Sequence, residues 1–166
     1  MALHISNDSP KKDRPLRDIM IPRHSNIKFA WFDGAAQLDG ILCRAGGVLK
    51  LPDFTVIIWI LNCGIGTNTK ANLMGAWETL GLASIMSLQR LKIMGDSKVV
   101  IDSLSNRGRL HVCAIEGWKA RIKDLIKSFN LVSFEHNYQE LQYGCRYSFK
   151  TGPWRTRRKH YLLSSV

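Results

Sequence analysis

Between Ile27 and Leu61, three strand-like stretches follow one another with connections too short to hold a helix. They are Ile27–Phe32, Gly46–Leu51 and Phe54–Leu61, each rich in aromatic or β-branched residues and bounded by turn residues such as Gly34 and Pro52-Asp53. Strands joined so closely pair as an antiparallel meander, because a parallel return needs a crossover of a dozen residues or more. Gly64–Thr69 then breaks the pattern. From Lys70 to Ser84 the apolar residues Leu73, Ala76, Trp77, Leu80 and Ala83 recur at helical spacing, and Thr67, Asn68 or Thr69 can cap that helix. A fourth strand, Leu91–Gly95, ends at Asp96. Ser97 starts a short helix to Leu104, and Val112–Phe129 carries a longer stripe of Ile115, Trp118, Ile122, Leu125 and Ile126. Leu131–Glu135 is the fifth strand. The order βββαβααβ gives an α/β fold: a meander, then strands alternating with helices, whose crossovers allow the later strands to run parallel to the first. Trp77 and Trp118 lie on apolar helix faces and belong to the core, as does at least one of Trp31 and Trp59.

The 166 residues, 45% of them hydrophobic, suit one domain with a sizeable core. Residues 1–26 contain Pro10, Pro15 and Pro22 without periodicity and read as a flexible basic leader. Residues 27–140 form the domain, and 141–166 read as an irregular basic tail. The N-terminus has no apolar core segment, so an intracellular, non-secreted protein is expected. Val56–Leu61 is the longest apolar run and is far too short to cross a bilayer. Cys43, Cys63, Cys113 and Cys145 are scattered, with no CxxC and no zinc-like His pairing, so reduced thiols are expected.

The net charge is +11. A balance of that size on a small domain points to a polyanionic partner, usually nucleic acid, or else to a solvated basic surface. Its distribution matters. Residues 1–140 hold 18 basic and 13 acidic residues, a net of +5, whereas residues 141–166 hold six basic residues and no acid. More than half of the excess lies in the tail, so charge alone is poor evidence for a built binding site.

Two aspartates stand at strand ends. Asp33 is expected to close the first strand and Asp96 the fourth. At the C-terminal ends of neighbouring parallel strands, carboxylates project into the crevice where ligands bind. A pair there can share Mg²⁺, which prefers hard oxygen ligands, and two such ions clamp the attacking and leaving oxygens of a phosphodiester. The structural alternative is that Asp33 starts a turn before Gly34 and Asp96 stabilises a helix N-terminus.

Four blocks bear on the choice: Phe32-Asp33-Gly34-Ala35-Ala36-Gln37, Ala45-Gly46-Gly47-Val48-Leu49, Gly66-Thr67-Asn68-Thr69-Lys70-Ala71 and Gly95-Asp96-Ser97-Lys98-Val99-Val100-Ile101-Asp102. In order and spacing they resemble the type 1 ribonuclease H domain over about residues 28–140, in the version carried by plant retroelement polyproteins and their stand-alone derivatives. The resemblance implies a five-stranded mixed sheet with flanking helices. It also implies cleavage of the RNA strand of RNA–DNA hybrids by two divalent ions, Mg²⁺ or Mn²⁺, held by four carboxylates.

Two of those carboxylates carry over, to Asp33 and Asp96. The second family carboxylate, a Glu on the first helix, falls on Asn72, and Glu78 is six residues further on, so it points elsewhere. The fourth belongs to a C-terminal block that begins here as His136-Asn137-Tyr138-Gln139-Glu140, and without gaps it falls on Arg146. A guanidinium at about 4 Å from a metal ion is repelled by roughly 4 kcal/mol per unit charge at an effective dielectric near 20. Cys145–Trp154 also admits a choice of synonymous codons that, moved by one nucleotide, reads Ala-Asp-Thr-Leu-Ser-Lys-Gln-Ala-Leu-Gly, the form of a family C-terminus. The tail after about Glu140 is therefore read as out of frame.

The resemblance implies a monomeric ribonuclease H-like protein that binds nucleic acid, RNA–DNA hybrid above all, with a degenerate catalytic site: Asp33 and Asp96 kept, with Mg²⁺ or Mn²⁺ the only metals expected if any is bound. Thr67, Asn68 and Thr69, with Arg44 as added charge in the preceding loop, are the candidate nucleic-acid contacts; helix capping is the alternative for the first three. Two other functions stay open: an active hybrid ribonuclease with a reduced carboxylate set, and a small basic interaction protein without a nucleic-acid role.

Overall fold

In the computed structural model, residues 26–37, 42–53, 55–107, 113–137 and 160–165 are described. Their elements are β1 (Lys28–Ala36), β2 (Cys43–Lys50), β3 (Thr55–Gly64), α1 (Asn68–Ile85), β4 (Arg90–Gly95), α2 (Lys98–Leu104), α3 (Cys113–Ile126), β5 (Leu131–His136) and β6 (His160–Ser165). The strands form one sheet in the order β5-β4-β1-β2-β3-β6. β1, β2 and β3 are the expected antiparallel meander. β4 runs parallel to β1, and β5 parallel to β4. The five-stranded mixed sheet of the sequence reading is thus present, with a sixth strand added on the β3 side.

That sixth strand is a correction. Residues 160–165 lie in the stretch expected to be irregular, yet β6 pairs antiparallel with β3 from Thr55↔Ser165 to Ile60↔His160. Helical or alternating patterning in the tail gave no sign of it, because an edge strand of six residues is defined by its neighbour more than by its own sequence. Residues 1–25 of the leader, residues 38–41, and Arg146 with the rest of 138–159 lie outside the described residues.

Alternation along β1 divides the side chains between the two faces of the sheet. Ala30 and Phe32 join the main core against α1, with Leu49, Trp59, Leu73, Leu80, Leu91, Ile93 and, from α3, Ile122. Trp31 faces the other way, with Met94, Phe29 and Val48. Both strand tryptophans are buried, Trp59 at 1% exposure and Trp31 at 7%. α1 packs on β1 and β2 and is covered in turn by α3. At that contact Trp77 and Trp118 meet edge-to-face, with ring centroids 5.7 Å apart. An element covered on two sides buries residues around most of its circumference, which is why α1 hides Asn72, Glu78 and Thr79 as well as its apolar stripe.

The approach of α1 to the sheet is set by Gly34. A methyl group there would stand 2.3 Å from the backbone nitrogen of Asn72 and 2.5 Å from the carbonyl carbon of Ala71. Only glycine lets the first turns of α1 sit this low on β1.

Candidate functional site

The parallel pairing of β1 with β4 ends at Phe32↔Gly95. One residue on, Asp33 and Asp96 therefore stand side by side on neighbouring strands. Asp96 is where the sequence placed it, directly after β4. Asp33 is not at a strand end: β1 continues to Ala36, paired with β2 through Asp33↔Gly46, Gly34↔Ala45, Ala35↔Arg44 and Ala36↔Cys43. The turn chemistry of Asp-Gly suggested a stop, but β2 is long enough to hold the strand beyond the point where β4 leaves it. The pairing of β1 with β4 thus ends just before these two aspartates, the place in a sheet where α/β folds commonly bind ligands. Asp33 is 7% exposed, and alternation puts it on the face opposite α1.

β5 supports Asp96 from its other side. His136 closes β5 opposite Gly95, and its Nε2–H donates to the Asp96 carbonyl oxygen at 2.9 Å. The Asn137 backbone N–H donates to the Gly95 carbonyl at 3.0 Å. The sequence assigned His136 no role; its position at the end of the fifth strand was the available signal, since the ends of β1, β4 and β5 meet at one rim. Lys98, two residues after Asp96, turns to Asp102 in an ion pair along α2. Ser97 occupies the N-cap of α2 but makes no side-chain cap bond.

The start of α1 approaches from the opposite face. Thr67 is its N-cap, and its Oγ1 accepts from the Lys70 backbone N–H at 3.3 Å. The Asn68 Oδ1 accepts from the Ala36 backbone N–H at the end of β1. Both candidate contact residues are thus engaged in fastening α1, though both remain exposed. Thr69 sits beside them, half-buried.

Asn72, at the position where the resembled family has a carboxylate, is 3% exposed. Its Nδ2 donates to the Gly34 carbonyl at 3.1 Å and to the Asn68 carbonyl at 3.0 Å. Two acceptors at one atom identify that atom as the NH₂ group, since a side-chain oxygen has no hydrogen to offer them. The amide oxygen is buried and has no hydrogen-bond partner among the described residues. Asn72 is therefore a clamp between α1 and β1.

Arg44 corrects another expectation. It lies in β2 and not in a loop, and at 6% exposure it is not on the surface. Burial pulls its pKa down from the usual arginine value. β2 begins earlier than its glycines suggested because a bulge in β3 keeps it paired: the register slips between Cys43↔Gly64 and Arg44↔Asn62, leaving Cys63 as the extra residue. The bulge also brings together two cysteines that are far apart in sequence. Cys43 and Cys63 are free and buried, the Cys63 Sγ–H donates to the Leu61 carbonyl at 3.7 Å, and burial pushes the Cys63 thiol up to about 12.

The described residues do not fit a two-ion metal centre. Two Mg²⁺ bring four positive charges against the two negative charges of Asp33 and Asp96, and a neutral amide stands at Asn72. No group of three or more His, Cys, Asp or Glu suited to a metal ion is found among the described residues. Among the same residues, no helix is long and apolar enough to cross a membrane.

Comparison with known proteins agrees with this fold. The sequence model of a family described as reverse transcriptase-like matches residues 32–142. No curated protein sequence matches the chain. Among solved structures, RNase H1 of the halophilic archaeon Halobacterium salinarum is similar at 22% identity and a TM-score of 0.63, covering 68% of this chain and 86% of that one. The N-terminal RNase H domain of a Mycobacterium tuberculosis protein, solved as a maltose-binding-protein fusion, gives 20% identity and 0.63, covering 68% and 88%. LC11-RNase H1 in complex with an RNA/DNA hybrid gives 13% identity and 0.66, covering 72% and 91%. At such identities the likeness is one of fold, and the fold is ribonuclease H-like.

Proposed function

The chain belongs to the reverse transcriptase-like family, and on that footing we propose that it binds nucleic acid, with RNA–DNA hybrid as its preferred form, through a ribonuclease H-like domain that has lost the means to cleave it. LC11-RNase H1 was solved with an RNA/DNA hybrid, which supports the choice of ligand. Hybrids have A-like geometry, and proteins recognise such duplexes by shape and backbone across a shallow minor groove. The exposed Thr67 and Asn68 at the start of α1 are the contacts this reading assigns. The protein acts as an intracellular monomer derived from a plant retroelement.

One observation carries the loss of cleavage. Asn72 replaces a carboxylate and is committed as a double donor to Gly34 and Asn68. A carboxylate cannot make those bonds. One Mg²⁺ or Mn²⁺ is the most that Asp33 and Asp96 would hold. An out-of-frame tail after about Glu140 accounts for the missing fourth carboxylate, and the codons of the genomic DNA test it: codons unable to give the shifted motif refute the idea.

The function is tested by titrating labelled hybrid, double-stranded DNA and single-stranded RNA at several salt concentrations, then assaying cleavage in Mg²⁺ and Mn²⁺. Tighter binding to hybrid, with affinity falling steeply in salt, and no turnover are expected. Robust turnover abolished by Asp33→Asn refutes the degenerate reading. Equal binding to all three nucleic acids refutes the preference for hybrid, and no binding to any of them refutes the nucleic-acid role.

A further inference from the structure

β3 is the most aggregation-prone strand in the sheet. Val56-Ile57-Ile58-Trp59-Ile60-Leu61 is six apolar residues without a charge, a proline or a glycine. Ile57, Trp59 and Leu61 are buried, while Val56, Ile58 and Ile60 are half-buried on the other face. In the five-stranded meander-plus-crossover sheet, β3 is an edge. An uncharged apolar edge with free N–H and C=O groups is a template for another copy of itself. Here that edge is covered: six consecutive residues of β3, Thr55 to Ile60, pair with β6.

The cover is attached in an unusual way. β5 and β6 are the two outer strands, at opposite ends of the sheet. Five inter-strand steps separate them, about 24 Å at ~4.8 Å each. The 23 residues of 137–159 between them can span up to roughly 75 Å when extended. β6 is an outer strand and pairs on one side only. Strands of that kind sit at the low-stability end of a fold and open first.

We propose that His160–Ser165 is a detachable edge guard, and that the β3 edge beneath it is a self-association surface whose alternative occupant is β3 of a second copy of this chain. Antiparallel pairing of two identical strands about a two-fold axis is self-complementary, and β3 carries no charge to oppose it. This inference stands apart from the nucleic-acid reading, since β3 lies two strands from the Asp33–Asp96 pair.

The test compares the full chain with a chain ending at Lys159, by sedimentation over a concentration series with far-UV circular dichroism as a check of folding. The full chain is expected to sediment as one chain. The shortened chain is expected to keep its helical signal and double its mass. A synthetic peptide of residues 159–166, added in excess, should return it to one chain. Ile58→Lys in the shortened chain should do the same, by placing a charge in the middle of the exposed edge. A shortened chain that stays folded and single overturns the proposal. So does a doubled mass that neither the peptide nor Ile58→Lys reverses. A shortened chain that loses its helical signal and is not rescued by the peptide also overturns it, because β6 would then be part of the folding unit and not its guard.

Discussion

Replacing Asn72 with Asp changes one atom type and leaves the shape alone, so it isolates what the amide does. In the native chain Nδ2 donates to the carbonyls of Gly34 and Asn68, at 3.1 and 3.0 Å. An ionised aspartate puts an oxygen at the same place. Two hydrogen bonds, each worth a net ~1 kcal/mol, are lost, and a buried anionic oxygen faces two carbonyl oxygens; together about 3 kcal/mol is expected. For a domain of this size that corresponds to a fall of ~8–15 °C in Tm. Asn72→Ala removes the same donors without adding charge, and also removes the buried oxygen that has no partner, so it should cost only ~1–2 kcal/mol. The difference between the two variants is the electrostatic part. It carries a pH signature. Burial beside carbonyl oxygens raises the pKa of the introduced carboxyl above its unfolded value of about 3.9. The folded variant then binds the extra proton more tightly than the unfolded one. Its deficit against Asn72→Ala is smallest below the unfolded pKa and grows as pH rises through the raised folded value. Urea unfolding at pH 7 and at pH 4, followed by circular dichroism, measures both. An Asn72→Asp chain within about 0.5 kcal/mol of the native one at pH 7 refutes the clamp. An Asn72→Glu chain that keeps its stability and gains Mg²⁺-dependent hybrid cleavage refutes the view that the loss of cleavage extends beyond Asn72.

Other outcomes follow from the same contacts. Gly34→Ala, with its methyl 2.3 Å from the Asn72 backbone nitrogen, should lose ~3 kcal/mol or more, because backbone cannot yield as a side chain does; a melt within a few degrees of native would show that α1 is not seated on β1. A double-mutant cycle of Trp77→Ala and Trp118→Ala should give a coupling of about 1 kcal/mol from the edge-to-face pair; additive losses would deny the contact. Cys43 and Cys63 should resist thiol reagents at pH 8 until the chain is unfolded. With the Cys63 pKa lifted from 9.0 to about 12, the neutral thiol's contribution is complete below pH 9 and is lost as pH rises towards 12; a urea midpoint that falls over this range, and falls less in Cys63→Ala, checks it. Lys98→Ala breaks only an exposed pair on α2 and should change stability by less than ~0.5 kcal/mol.

The parts of the fold legible in the sequence are those in which local pattern and tertiary placement agree. β3 and β4 read as strands because their apolar runs sit inside the sheet, and α1 and α3 because their stripes face each other and the core. The misreadings occur where pairing decides. Asp33-Gly34 looks like a turn, but β2 continues β1 to Ala36. Arg44 looks like a loop residue, but a bulge at Cys63 keeps it in register and buried. β6 has no pattern of its own and exists through β3. At the site, the residue type of Asn72 was readable and already argued against a carboxylate cluster. Its two donor bonds were not readable, because Gly34 is 38 positions away and meets α1 only through the crossover.

If the domain has lost its chemistry as proposed, those donor bonds bear on how it keeps its fold. Catalytic carboxylates crowd like charges together, and an active site of that kind is held against its own repulsion by metal ions and by the surrounding structure. Removing one carboxylate from the crowd relieves that repulsion. Replacing it with an amide that donates to the helix and to the strand goes further and converts a source of strain into a tie. On this argument a reversal at Asn72 alone has to overcome the lost tie before any metal binding can compensate, so restoring a carboxylate should destabilise the apo-chain first. Rescue by millimolar Mg²⁺ is the discriminating measurement. Asn72→Glu melts that rise with Mg²⁺, and do not rise when Asp96→Asn is added, would mean that the remaining aspartates still form a metal cradle. Melts unaffected by Mg²⁺ would mean that the site has become structural throughout.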